Sequence, residues 1–180
     1  MLEQTTLAPG PVEGRACGSC TLCCKVYDVA AVDSPAGVWC RHCKPGRGCG
    51  IWETRPPGQC RSFDCLWLTQ GWLGPEWKPE RAKFVITLEP ASRFMLVQVD
   101  PGAPRAWRTE PYYSQLRRWA VAAVPEHRLV IVFLNRSATV VLPERDLELG
   151  IVGPHDRILV RPRQTAQGLL LDVSKSRVAA

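Results

Sequence analysis

The chain has 180 residues, 46% hydrophobic and 22% charged, which suits one domain with a real core or a small metal module with a compact partner, and excludes global disorder. The formal net charge of +6 and pI of about 9.0 permit an acidic partner without requiring one. No apolar run approaches the length of a bilayer span, and residues 1–10 lack the basic and apolar regions of a secretory signal, so a cytoplasmic location is expected.

Residues 1–16, rich in Pro, Gly and Thr, predict a flexible N-terminal arm. Residues 17–67 form a cysteine-rich module that holds all nine cysteines, and its middle, from Asp33 to Gly50, is dense in Gly and Pro and predicts loops. Residues 68–80 form a Trp-rich connector. Trp67 at its border, Trp72 and Trp77 are expected to pack between the cysteine module and the region that follows.

From residue 81 the texture becomes that of a small α+β region. Phe84–Leu88 and Phe94–Val99 are β-prone runs separated by a polar turn, which predicts a hairpin. Thr109-Glu110-Pro111 reads as a helix start with a polar cap, and Tyr112, Leu116, Trp119 and Ala123 follow at helical spacing until Pro125. Leu129–Leu134 is apolar without alternation, as in a strand buried on both faces, and Asn135–Ser137 predicts a turn into Ala138–Leu142. Short strands are expected near Ile158–Val160 and Leu169–Leu171, around a turn ending at Gly168. The predicted architecture is therefore an irregular cysteine module followed by a mostly antiparallel sheet with one helix.

Nine cysteines in one short segment, an odd count, point to metal binding rather than a disulfide framework in a reducing compartment. Cys17, Cys20, Cys23 and Cys24 fall within an arc of roughly 120° on a helix, so a helical or turn-like segment aims all four sulfurs to one side; Gly18 disfavours a regular helix at its start. Cys40 and Cys43 form a second C-x-x-C pair, followed by Cys49. Together with Cys20 and Cys23, they give C-x2-C-x16-C-x2-C, a zinc-site spacing. Cys60 and Cys65 complete the candidate ligands. Clustered thiolates repel one another, and a bound cation removes that penalty. His42, between Cys40 and Cys43, is read as a surface or supporting group, and His127 and His155 as structural or solvated. Arg55 and Arg61 are the cations expected to support the thiolates.

The run Cys17-Gly18-Ser19-Cys20-Thr21-Leu22-Cys23-Cys24, with Cys40, Gly48–Pro56 and Cys60-Arg61-Ser62-Phe63-Asp64-Cys65, resembles the YkgJ-like CxxCxxCC cysteine-cluster family, described as a zinc- or iron-chelating domain. The resemblance covers residues 17–67 and implies that eight cysteines are ligands; Cys43 is additional, and Trp52 stands where the family carries an aromatic. Larger relatives resemble flagellin lysine N-methylases. This shorter chain shows no glycine-rich S-adenosylmethionine loop, so that activity is not carried over.

The expected function is metal binding in a structural or metal-handling role, with zinc as cofactor. Eight thiolates would fill two closed four-thiolate sites, and nine could bridge three zinc ions, a possibility favoured by the adjacent pair Cys23-Cys24. The alternative cofactor is iron or an iron–sulfur cluster, since Cys17, Cys20 and Cys23 match the start of a ferredoxin run, although the next cysteine follows too soon. A zinc module on nucleic acid is the third reading, disfavoured because no recognition helix or basic stripe is evident in the sequence. No nucleophile–base pair stands out, so no residue is assigned a catalytic role. The expected partners are metal ions, with no membrane.

Overall fold

The computed structural model describes residues 10–166 and 168–177. Helices and strands are mixed, as an α+β reading requires. In the cysteine segment, α1 (Cys23–Val26) is a single helical turn, and β1 (Cys43–Lys44) pairs antiparallel with β2 (Gly48–Cys49). The Trp-rich stretch contributes α2 (Leu66–Thr69) and α3 (Pro79–Ala82), each one turn long. The remainder holds β3 (Phe84–Leu88), β4 (Met95–Val99), α4 (Tyr112–Ala123), β5 (Val130–Leu134), β6 (Ser137–Val141), β7 (Asp146–Ile151), β8 (Asp156–Thr165) and β9 (Gly168–Arg177).

Strands β3 to β7 form one five-stranded sheet in chain order, and β8 and β9 form a separate antiparallel ribbon. The sheet is mixed rather than uniformly antiparallel: β4 and β5 run parallel, while the other three pairs are antiparallel. The cause is α4, which lies between β4 and β5 in the chain and supplies the long crossover that parallel neighbours need.

The sheet is buried on both faces. On one, Phe84, Ile86, Val97, Val99, Val130 and Val132 pack with Leu116 and Ala120 of α4 and with Leu73, Trp77 and Trp107. On the other, Ile131, Ala138 and Val140 pack with Leu171, Ile158, Val160 and Val173 of the ribbon. Alternate residues of β5 thus enter different cores, which explains why its sequence shows no polar alternation. The hairpin turn at Asn135 uses a left-handed φ of 54°, which Asn tolerates better than most residues.

The helix expected after Pro111 is present, but its cap differs. Pro111 occupies the N-cap position with no side-chain cap, and the Thr109 hydroxyl donates back to the Ala106 carbonyl at 2.7 Å. A short 3₁₀ turn at Val124–Glu126 follows the helix. Strand β7 is an element the sequence reading did not foresee, because Asp146 and Glu148 break its apolar pattern. The expected short strands near Ile158 and Leu169 prove to be ten residues each. Trp77 is buried, in ring contact with Phe84, Tyr112 and Trp119, whereas Trp72 is 57% exposed. The expected flexible arm lies mostly in residues 1–9, outside the described residues; within it, the Val12 amide donates to the Leu68 carbonyl at 2.8 Å. Among the described residues, no helix is long and apolar enough to cross a membrane.

Candidate thiol-lined metal site

The cysteine segment is held to the sheet by a small apolar contact. Leu22 and Val26 are buried against Val85 of β3, with Cys23, Tyr27, Phe63 and Cys65 packed around them. Val85 points away from the side of β3 that carries Phe84 and Ile86, so one strand serves both the main core and the seat of the cysteine loops.

Each loop then turns sharply enough to aim its sulfurs inward. Gly18 adopts a φ of 53°, a left-handed conformation that suits glycine, and the Cys20 amide closes a turn on the Cys17 carbonyl at 2.8 Å. The chain enters α1 only after this turn, as Gly18 requires. Cys43 and Cys49 stand directly opposite each other across β1 and β2. The Cys40 amide donates to the Cys24 carbonyl at 2.9 Å, which brings the second cysteine pair beside the first. Cys65 precedes α2 as its N-cap residue.

All nine cysteines are free thiols, each partly buried, and all nine line one cavity of about 640 Å³. The candidate ligands, spread over 49 positions of sequence, are thus gathered around a single space. His42 also lines it, half-buried, whereas His127 and His155 are exposed. Among the described residues, no group of three or more His, Cys, Asp or Glu side chains is arranged to hold a metal ion as it stands. The donor set fits a thiophilic cation in chemistry. The spacing of its atoms is that of open loops around a cavity.

Burial and crowding raise the thiols of Cys17, Cys20, Cys24, Cys43, Cys60 and Cys65. Burial pushes the Cys17 thiol up, with Cys20 and Asp64 adding to it and Arg55 opposing. Burial likewise raises Cys20, against the backbone N–H groups of Leu22 and Glu80. Cys24 is raised furthest, first by its hydrogen bond with Cys23 and then by burial. Cys43 is pushed up to about 11 by burial and then by Cys24, while the Thr21 hydroxyl acts the other way. Burial takes Cys65 to about 11, opposed by the Leu68 amide and reinforced by Cys17 and Cys20. Cys60 is raised by burial and by Cys24, Cys40 and Cys49, with Arg55 again opposing. These influences run among Cys17, Cys20 and Cys65 and among Cys23, Cys24, Cys40, Cys43, Cys49 and Cys60, and Cys24 also acts on Cys17. A divalent cation would remove the cost of deprotonating neighbours, since thiolate rather than thiol is the ligand.

Arg55 is the expected supporting cation that reaches the thiols. Its guanidinium lies 3.5 Å from the Trp52 ring centroid and donates to the carbonyls of Trp52 at 2.9 Å and Cys60 at 3.4 Å. Arg61 also lines the cavity, and its guanidinium donates to the Glu53 carbonyl at 2.6 Å, which fastens that loop. Lys25 is engaged elsewhere, with Asp100 at 2.7 Å.

Sequence reasoning missed Arg15. Its guanidinium donates to the carbonyls of Trp67, Gln70, Gly71 and Leu73, and so ties the cavity rim to the Trp-rich stretch. Glu80 was missed as well: the Ser19 hydroxyl donates to it at 2.8 Å, anchoring the Cys17–Cys20 turn to α3. Neither carries a local signal, because their partners lie over fifty residues away. No protein-family model, curated protein or solved structure matches the chain, so the resemblance of residues 17–67 to the CxxCxxCC cluster rests on its motif.

Proposed function

We propose that this protein binds thiophilic metal ions through cysteine thiolates, with zinc the foremost candidate, in a structural or metal-handling role. The observation that carries this reading is the convergence of nine free thiols from separate loops on one cavity. A disulfide scaffold would pair them, and inert core cysteines would be dispersed among apolar side chains.

The loops that bear the ligands are turns and two-residue strands, with no large core of their own. They can therefore close on an ion at small conformational cost. Thiolates from Cys17, Cys20, Cys23, Cys24, Cys40, Cys43, Cys49, Cys60 and Cys65 would hold the metal, and the Arg55 charge would offset the surplus negative charge of such a centre. A bound zinc ion with four thiolates has no open position, which makes the centre one of folding, storage or delivery rather than of substrate chemistry.

The test is the metal and acid-labile sulfide content of protein purified without oxygen. Two or three zinc ions per chain without sulfide is the expected result. Iron with matching sulfide would replace zinc by an iron–sulfur cluster and a redox role. Metal-free protein would remove metal binding, and metal retained in full after Cys→Ser substitution would remove the thiolates as its ligands.

A further inference from the structure

The ribbon β8–β9 carries a second feature, independent of the thiols. Directly paired residues of an antiparallel ribbon share a face. The pairing of Ile158 with Lys175 and Val160 with Val173 sets one face, whose apolar members pack on the sheet. The intervening pairs put Arg157, Leu159, Arg161 and Arg163 on the outward face, opposite Ser176, Ser174, Asp172 and Leu170. All three arginines are exposed. Arg163 is held by Asp172, with Nε to Oδ2 at 2.8 Å. Arg157 and Arg161 make no hydrogen bond or salt bridge among the described residues.

At the open end of the ribbon, Arg136, Lys175 and Arg177 line a surface hollow of about 480 Å³ with one carboxylate, Asp156. That carboxylate accepts from the Gly153 amide at 2.8 Å and pairs with Arg177 at 3.8 Å, and Lys175 donates to the Ile151 carbonyl, so these two cations are engaged at the sheet-facing side of the ribbon. Residues 156–177 hold five basic and two acidic side chains, a net +3, half of the chain's +6 on a hairpin of 22 residues. Along a strand, Arg161 and Arg163 stand about 7 Å apart and Arg157 about 13 Å beyond Arg161. This is a basic stripe, which only the strand register reveals.

We propose that the outward face of the β8–β9 ribbon, which bears Arg157, Arg161 and Arg163, docks on duplex DNA. A polyanion complements the charge. The ribbon bears no Trp, Tyr or Phe, so it offers no platform for stacking single-stranded bases. A two-stranded ribbon fits the major groove of B-form DNA, whereas the deep, narrow major groove of A-form RNA does not admit it. Ser174 and Ser176 on the same face can add hydrogen bonds to phosphate oxygens.

The test is fluorescence anisotropy of a labelled 20-base-pair DNA duplex titrated with the full chain at 50 to 200 mM salt. Contact with about three phosphates gives a log–log salt slope near −3 and an affinity loss of roughly 40-fold across that range. The double variant R157S/R161S is expected to bind more weakly at low salt and to reduce the slope by about 2, with circular dichroism unchanged. A Cys24→Ser variant is expected to bind DNA as the parent does, which separates this result from the metal reading. Absence of binding at 50 mM salt, binding unaffected by R157S/R161S, or equal or tighter binding to single strands or to duplex RNA would each overturn the proposal.

Discussion

Arg55 is placed where its charge bears on three of the thiols, Cys17, Cys24 and Cys60. Arg55→Gln is expected to weaken zinc binding by about 10- to 100-fold, the range for lost supporting contacts at metal sites, as read by competition with a chromophoric chelator. Arg55→Lys, which keeps the charge but not the planar fork, should recover part of that loss. Protonation sets a second expectation. Cys43 and Cys65, pushed up to about 11, are neutral at pH 7 in the metal-free protein. Zinc must therefore displace their protons, so proton release should accompany binding and affinity should rise with pH. A pH-stat titration checks the sign; uptake of zinc with no proton release would contradict it. At this scale the gathering of the nine thiols around one cavity was legible, because all nine lie in one short segment. The sequence was poor for Arg15 and Glu80, whose partners are set by the fold.

At the scale of elements, α4 is fixed to the sheet by more than its apolar stripe. Asp146 of β7 accepts from Arg108 Nη1 at 2.5 Å and from the Tyr113 hydroxyl at 3.2 Å, and Arg117 donates to the Leu142 and Pro143 carbonyls at 3.0 and 2.8 Å. Asp146→Ala is expected to cost about 1–3 kcal/mol, since partly buried charged hydrogen bonds are lost and their donors left unpaired. Urea denaturation measures it; an unchanged midpoint would show the network to be solvent-screened. The same residue explains why β7 escaped the sequence reading: a carboxylate at a strand's start looks like a loop until its arginine partners on other elements are known. By contrast, the hairpin of β3 and β4, helix α4 and the doubly buried β5 were legible, because each buries a regular apolar pattern. The parallel pairing of β4 and β5 was not, since it follows from where the crossover helix packs.

The whole molecule separates into a sheet whose two large cores contain no cysteine and a loop segment attached through the apolar contact of Leu22, Val26 and Val85 and the polar ties Lys25–Asp100 and Ser19–Glu80. Chelation of the metal should therefore loosen residues 17–65 while the five-stranded sheet persists. Trp77, buried in the main core, should keep its emission wavelength, and cysteine alkylation should accelerate. A red shift of that emission together with faster alkylation would show that the metal holds the entire fold. Leu22→Ala should act on the same joint, costing about 2–4 kcal/mol locally in a buried position and weakening metal retention. The most direct test of the account is X-ray absorption at the metal edge of the zinc-loaded protein. Thiolate coordination gives a sulfur shell near ~2.3 Å with about four sulfurs per ion. A shell of oxygen and nitrogen near ~2.0–2.1 Å, with no sulfur, would contradict it.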